Sequence, residues 1–149
     1  MQIREFQISD YAQVKALWRT GGLIIGRSDS QRGLRQKLER DADLFLVAQE
    51  NNRIVGVVMG CWDGRRGWIN RLAVAPDQQG KGLGSLLVTE VEKRLKAKGC
   101  EKVNLLIEAT NSGVQEFYET LGYTRDDLIF MEKWLVQDAP PRDSSLRSE

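Results

Sequence analysis

Hydrophobic positions recur along the first half of the chain with periods that alternate between those of strands and helices. Residues 1–8 predict a short strand, and residues 8–20 place apolar side chains at the three- and four-residue spacing of a helix. A second helix is expected over residues 28–41. The near-continuous apolar runs 43–50 and 53–62 predict a hairpin, and its second strand should be buried on both faces.

The second half of the chain also alternates between strands and helices. Strands are predicted at 68–74 and 102–108, and a last strand or hairpin at 124–136 is expected to close the domain. Helices are expected at 82–98 and 111–122, and each is ended by a glycine. The apolar stripe predicted for the longer helix consists of Leu83, Leu86, Leu87, Val91 and Leu95.

In this order, the elements predict one α/β domain with a mixed sheet. No internal repeat and no linker-like stretch interrupts residues 1–136, so this range is assigned to a single domain. Residues 137–149 are polar and contain proline, and this composition predicts a disordered tail.

Charge and hydropathy narrow the classes of function. The chain has 149 residues and a formal net charge of +1, so no basic field indicates a nucleic-acid partner. No apolar run approaches the ~18 residues of a membrane span, and the first residues lack the apolar core of a signal peptide. We therefore expect a cytoplasmic protein with no membrane partner.

The chain contains no histidine, and this absence restricts its chemistry. Ser-His-Asp and Cys-His catalysis are excluded, and a transition-metal site is disfavoured. The two cysteines, Cys61 and Cys100, form no CxxC pair and are expected to be buried free thiols. Proton transfer must use a carboxylate, tyrosine, lysine, cysteine or water.

The stretch LAVAPDQQGKGLGSLLV, residues 72–88, joins a predicted strand to a predicted helix through three closely spaced glycines. The first N–H groups of a helix have no partner inside it and carry a partial positive charge, so this loop favours an anion. A Walker loop is excluded, because Gly82 stands where Ser or Thr must follow Gly80-Lys81. The dinucleotide fingerprint requires a glycine where the chain has Ser85, and it should follow the strand directly.

A third pattern, Q-x-x-G-x-G opening a helix after V-x-P, is filled by Gln79, Gly82 and Gly84. A second motif, EATNSGVQEFYETLGY at 108–123, follows at the expected distance. With this order of elements, the chain resembles the GNAT superfamily of acyl-CoA-dependent N-acetyltransferases over residues 1 to about 135. The resemblance implies a mostly antiparallel sheet of six to seven strands flanked by about four helices. It also implies acetyl-CoA as co-substrate and no metal.

The glycine loop suits coenzyme A on physical grounds as well. The pyrophosphate is expected on the N–H groups of residues 80–85, and the pantetheine arm can pair like an added strand with residues 72–74. By resemblance, the N–H of Leu72 holds the thioester carbonyl as an oxyanion hole, and Asn111 contacts the arm, caps its helix, or does both. The expected cofactor-binding residues are Leu72, Ala73, Val74, Gln79, Gly80, Lys81, Gly82, Leu83, Gly84, Ser85 and Asn111.

The resemblance places the general acid at Tyr118, and the alternative is a tyrosine that only packs in the core. The family's glutamate positions are occupied by Trp68 and Leu106, which cannot accept a proton. Glu108, on the same strand face as Leu106, and Asp63 remain, and each either acts through water or is a solvated surface charge. Tyr118 and Glu108 are therefore the expected catalytic residues.

The missing base favours an amine that is readily neutral. At pH 7, deprotonating a lysine of pKa ~10.4 costs about 4.6 kcal/mol, against about 1.1 kcal/mol for an α-amine of pKa ~7.8. We therefore favour a peptide or protein N-terminus, or a small amine, over a lysine side chain. By resemblance, the acceptor enters past residues 21–33 and 123–131, and homodimers are common in the family. An acyl-CoA sensor without turnover and an unrelated nucleotide-binding protein stay open as alternatives.

Overall fold

Four α-helices and five strands follow one another along residues 1–108 and 112–136, which are the residues that the computed structural model describes. Up to the last helix, their order is the one that the sequence predicts. The strands are β1 Gln2–Glu5, β2 Phe45–Glu50, β3 Arg53–Trp62, β4 Gly67–Val74 and β5 Val103–Asn104. The helices are α1 Tyr11–Thr20, α2 Gln31–Asp41, α3 Leu83–Ala97 and α4 Ser112–Thr120. Within the described residues, no helix is both long enough and apolar enough to cross a membrane.

The sheet has the strand order β1-β2-β3-β4-β5, and every neighbouring pair is antiparallel except the last. Strands β4 and β5 run parallel and pair at two positions, Gly67 with Val103 and Trp68 with Asn104. Residues 105–106 are not paired in the sheet, and Ile107 forms a single bridge. The sheet therefore opens beyond Trp68, beside the part of β4 that leads into the glycine loop.

The described residues form five strands, whereas the resemblance implies six to seven. Segment 124–136 contains no strand, and four of its large apolar side chains are 82 to 91 % exposed: Leu128, Ile129, Met131 and Leu135. A strand is stable only where a neighbouring strand pairs its backbone N–H and C=O groups, and β5 is two residues long. A pattern of apolar residues is therefore not sufficient to form the last strand.

Helix α3 packs one face against β3 and β4. The buried residues of this face recur at steps of four: Leu83, Leu87, Val91 and Leu95. Leu86, which the sequence pattern assigns to this stripe, is instead 57 % exposed. At 100° per residue, its side chain points about 120° away from the centre of the stripe.

Helices α1 and α3 cover opposite faces of the sheet. A Cβ added to Gly21, just after α1, would lie 3.8 Å from the Cβ of Ala73. A Cβ added to Gly84, in the first turn of α3, would lie 3.9 Å from a methyl group of Val74. Because neighbouring residues of a strand point to opposite faces, the end of β4 has α1 on one side and α3 on the other.

Candidate active site

The glycine loop has the backbone conformation that an anion-binding helix start requires. Gly80 and Gly82 adopt φ angles of 79° and 83°, which lie in the left-handed region that glycine enters without steric cost. Helix α3 begins at Leu83, and its first intrahelical bond runs from the N–H of Leu86 to the carbonyl of Gly82, at 3.1 Å. The N–H groups of the preceding turn are therefore not used inside the helix.

Two side-chain interactions hold this loop against the sheet. The amide nitrogen of Gln79 donates to the carbonyl of Val74 at 3.2 Å, which ties the loop back to the last residue of β4. The guanidinium of Arg53 holds both carboxylate oxygens of Asp77, at 2.7 and 2.9 Å. This ion pair offsets the one acidic charge in the loop, whereas Lys81 is exposed beside the helix start.

Strand β4 carries a bulge at the point where the sheet opens. Val57 pairs with Ala73 and Met59 pairs with Asn70, so two residues of β4, Arg71 and Leu72, stand opposite the single residue Val58. Arg71 has a φ of 56°, an unusual value for a residue with a side chain. The bulge thus changes the direction of the backbone immediately before Leu72.

The side chain of Arg71 is fully buried and connects β4 to the segment between α1 and α2. Its Nη2 donates to the carbonyl of Ile24 at 2.9 Å and to the carboxylate of Asp29. The same carboxylate accepts the N–H of Gly26 at 2.7 Å. Arg71 also lies 4.9 Å from the ring of Trp18, whose indole N–H donates to the carbonyl of Arg71 at 3.0 Å. The loop that the resemblance assigns to the acceptor is therefore anchored on the bulge.

Sequence reasoning missed this cluster, although one signal for it exists. Strand β4 reads GWINRLAV, and its central residues Asn70 and Arg71 are polar within an apolar run. Both are buried. A buried arginine is expected only with partners that satisfy its charge, so its position in a core strand indicates a built polar site.

Helix α4 brings Tyr118 into the core. Tyr118 is 1 % exposed and packs edge-to-face against Phe117 and Tyr123, with ring centroids 5.0 and 5.5 Å apart. A Cβ on Gly84 would lie 3.2 Å from the ring of Phe117, so α4 sits directly on the first turn of α3. The hydroxyl of Tyr123 donates to Glu92 at 2.7 Å, and burial together with this carboxylate raises the pKa of Tyr123.

The carboxylates considered as bases have different surroundings. Glu108 is half-buried at the end of the segment that follows β5. Asp63 is exposed and accepts the backbone N–H groups of Arg66 and Arg65 at 2.7 and 2.8 Å. These two hydrogen bonds stabilise the β3–β4 turn and lower the pKa of Asp63. Asp63 is therefore a weak base. Asn111 lies outside the described residues.

The cysteines are free thiols in unequal surroundings. Cys100 is buried, whereas Cys61 is half-buried, and its sulfur lies 3.4 Å from the amine of Lys37. The prediction of a fully buried thiol is therefore wrong for Cys61, because the end of β3 lies at the edge of the core. Across residues 1–108 and 112–136, no group of three His, Cys, Asp or Glu residues is placed to hold a metal ion.

The element order, the helix start and the motifs agree with a known protein family. The model of the acetyltransferase (GNAT) family matches residues 11–123. The chain belongs to the GNAT acetyltransferase family. It is 41% identical over 138 residues to an acetyltransferase of Yersinia pestis (strain Pestoides F), and the match covers 93% of this chain and 98% of that one.

Solved structures show the same GNAT fold. Ard1 from Thermoplasma volcanium superposes with a TM-score of 0.75 and 20% identity, covering 85% of this chain and 84% of that one. The PaiA N-acetyltransferase from Thermoplasma acidophilum, solved with coenzyme A, gives a TM-score of 0.76 and 23% identity, covering 86% and 92%. The predicted family, fold class and enzyme class are confirmed, and the chain is an acyltransferase of the type that uses acetyl-CoA.

Proposed function

We propose that this GNAT enzyme transfers the acetyl group of acetyl-CoA to the neutral primary amine of a small molecule or a peptide, within a ternary complex. The observation that carries the proposal is the glycine loop, where Gly80 and Gly82 with positive φ lead into the unpaired N–H groups at the start of α3. Beside it, β4 leaves its parallel partner after Trp68. A pyrophosphate site thus adjoins an opening in the sheet that fits an extended amide chain.

In this arrangement, the cofactor-binding residues divide into three groups. The N–H groups of residues 80–85 bind the pyrophosphate, and Lys81 adds a flexible charge. Residues 72–74 pair with the amides of the pantetheine arm, and Gln79 stabilises the loop through the carbonyl of Val74. Asn111, which directly precedes α4 in the sequence, is proposed to contact the arm.

The reaction requires nucleophilic attack by the amine, protonation of the leaving thiolate and removal of a proton from the attacking nitrogen. The amine lone pair attacks the thioester carbonyl carbon, and the negative charge that forms on oxygen is held by the N–H of Leu72. The tetrahedral intermediate then collapses to the amide and expels the thiolate of CoA, which takes a proton from Tyr118. Glu108 receives the proton of the attacking amine through water. For ordinary pKa values, a tyrosine protonates a thiolate at a cost of about 2 kcal/mol, so the acid contributes modestly.

The acceptor is proposed to be an amine of low pKa, such as a peptide N-terminus. By resemblance, the positions where relatives carry a glutamate are Trp68 in β4 and Leu106 just after β5, both half-buried, and neither side chain can accept a proton. The carboxylate of Asp63 is already hydrogen-bonded to backbone N–H groups of the β3–β4 turn. The site therefore offers no strong base, which penalises an amine by the full cost of its deprotonation at neutral pH.

One observation favours a second candidate, an acyl-CoA sensor without turnover. Tyr118 is buried among aromatic rings, as a residue that only packs would also be. The two candidates differ in one measurable quantity, the release of CoA thiol in the presence of an amine.

The test is thiol release from acetyl-CoA with four acceptor classes: N-terminally free peptides, N-blocked lysine peptides, polyamines and amino sugars. We expect free N-termini or small amines of low pKa to react fastest, and Tyr118→Phe to lower kcat at least about tenfold. The KM for acetyl-CoA should change little, because the hydroxyl acts on the leaving group. Tyr123→Phe is the matched control, and it should keep kcat while lowering the melting temperature through loss of the Glu92 hydrogen bond.

Each alternative has its own outcome in this assay. CoA binding without thiol release in any class supports the sensor. Thiol release at equal rates in the wild type and in Tyr118→Phe would show that Tyr118 only packs in the core. Lysine peptides with blocked N-termini reacting as fast as free peptides would contradict the preference for a low-pKa amine.

A further inference from the structure

A buried hydrogen bond joins Trp18 of α1 to the main chain of β4. The indole N–H of Trp18 donates to the carbonyl of Arg71 at 3.0 Å, and both residues are buried. The accepting carbonyl belongs to the bulged residue itself, directly before Leu72. This contact therefore acts on the peptide group whose other end is the N–H of Leu72.

The direction of that N–H follows from the geometry of the peptide bond. The carbonyl of Arg71 and the N–H of Leu72 share one peptide plane, and in a trans peptide they point in opposite directions. Because the carbonyl faces Trp18 on the α1 side, the N–H faces away from α1, towards the side covered by α3. Tyr118, on α4 above the first turn of α3, is on that same side.

The bulge leaves this peptide with less support than a regular strand would give it. Two residues, Arg71 and Leu72, share the single opposite residue Val58, so the ladder of backbone hydrogen bonds is interrupted here. The left-handed φ of Arg71 costs a residue with a Cβ about 1–2 kcal/mol. The indole N–H is a contact from outside the strand that stabilises this conformation.

The same two residues hold the segment between α1 and α2. The carbonyl of Trp18 accepts the N–H of Leu23 at 2.9 Å. The guanidinium of Arg71 binds the carbonyl of Ile24 and the carboxylate of Asp29. The two residues joined by the indole hydrogen bond therefore also hold the acceptor-side segment, through separate hydrogen bonds.

We propose that Trp18 is a positioning residue for acetyl transfer, whose indole N–H keeps peptide 71–72 oriented so that the N–H of Leu72 faces the thioester carbonyl. This inference rests on the proposed function, because it requires Leu72 to be the oxyanion donor. Trp18 itself touches neither acetyl-CoA nor the amine. It acts through the peptide that it holds.

The decisive variant replaces the indole of Trp18 with benzothiophene, by site-specific incorporation of the amino acid analogue. The ring keeps its shape, while sulfur takes the place of the N–H, so packing is retained and only the donor is lost. We expect kcat to fall about 10- to 100-fold, which approaches the effect of losing one oxyanion donor. The Kd of CoA, which has no acetyl carbonyl, should stay within about twofold of the wild type.

The carbonyl stretch of bound acetyl-CoA labelled with ¹³C at the thioester carbon reports the same hydrogen bond directly. In the wild type, the band should shift to lower wavenumber on binding, and in the benzothiophene variant it should return towards the value of free acetyl-CoA. A wild-type shift that the variant retains in full, with kcat unchanged, overturns the role of Trp18. No shift in the wild type instead overturns the oxyanion role of Leu72, and the inference fails with it.

Two substitutions by phenylalanine test the same hydrogen bond without an amino acid analogue. Trp18→Phe also removes the donor and should lower kcat and the band shift in the same direction. Trp62→Phe is the control, because Trp62 lies half-buried at the far end of β3, and it should keep kcat and the shift within about twofold. Equal losses in the two phenylalanine variants would show a general packing effect and contradict the proposal.

Discussion

Asp10 closes the junction between β1 and α1 through both of its carboxylate oxygens. They accept hydrogen bonds from Arg4 at 2.8 and 3.0 Å and from the backbone N–H of Gln7 at 2.9 Å. Burial raises the pKa of Asp10, but the hydrogen bonds from Arg4 and Gln7, with the charge of Arg4, outweigh it and hold that pKa below its usual range. The ionised carboxylate therefore stabilises the fold.

This shift predicts a pH-dependent loss of stability in Asp10→Asn. At pH 7 the variant should lose about 1.5–3 kcal/mol of unfolding free energy, the usual contribution of hydrogen bonds to a charged group. A lowered pKa contributes stability that is present above about pH 3.9 and is lost as the pH falls through the folded-state value. Urea unfolding should therefore show a difference in unfolding free energy between variant and wild type at pH 7, and this difference should become smaller below pH 4. A difference that stays constant with pH would contradict the stabilising role of the ionised Asp10. The control is Asp127→Asn, at an exposed position, which should lower the unfolding free energy by less than about 0.5 kcal/mol at either pH.

The residues of the site differ in how far a sequence can reveal them. Gly80 and Gly82 are recognisable because their positive φ angles are a local requirement that glycine meets at low cost. Trp18 and Arg71 are 53 positions apart, and no local pattern pairs a helical indole with a strand carbonyl. Only the polar Arg71 within an apolar strand indicates that a partner must exist.

Helix α3 lies close to the sheet because three glycines lie beneath it. A Cβ on Gly56, Gly60 or Gly67 would lie 2.9, 2.6 or 2.7 Å from side chains of Leu87, Val91 and Leu95, respectively. These three α3 residues are spaced four apart, so each turn of the helix rests on one glycine. The start of α3, which forms the proposed pyrophosphate site, is placed by this contact.

Gly60 gives the sharpest test of the contact, because its neighbour Val91 is β-branched and cannot easily rotate away. Gly60→Ala should cost about 1–3 kcal/mol by overpacking, and Val91→Ala about 2 kcal/mol by leaving a cavity. The double variant should lose at least about 1 kcal/mol less than the sum, as measured by urea unfolding. Additivity within about 0.5 kcal/mol would contradict the contact. Gly113→Ala, where a Cβ meets nothing within 4 Å, should not destabilise the protein.

Elements whose signals are local are the ones that the sequence predicts well. Helix α2 begins at Gln31 because Ser30 accepts the N–H of Gly33 at 3.0 Å, a cap encoded within four residues. The hairpin of β2 and β3 turns at Asn51 and Asn52, both with positive φ. The strand expected over 124–136 depends instead on a distant partner, which its own apolar pattern does not specify.

The molecule as a whole has almost no net charge. Its 22 Lys and Arg residues and 21 Asp and Glu residues leave a formal charge of +1. Steering of a polyanionic ligand by the overall field is therefore weak. In the proposed site, the attraction for CoA comes from the helix start and from Lys81, and the ion pair of Arg53 with Asp77 offsets the local negative charge.

This local origin predicts how ligand binding changes the stability of the whole fold. CoA at about 100 times its Kd should raise the free energy of unfolding by about 2.7 kcal/mol, or the melting temperature by about 5–10 °C. NADH and ATP at equal concentration should give no comparable shift. Lys81→Ala should weaken Kd about three- to tenfold and reduce its dependence on salt, since one exposed phosphate contact is lost. Lys93→Ala, exposed on the same helix, should leave both unchanged in calorimetry at two salt concentrations. Equal losses in the two lysine variants would show that the attraction arises from the surface at large rather than from the loop.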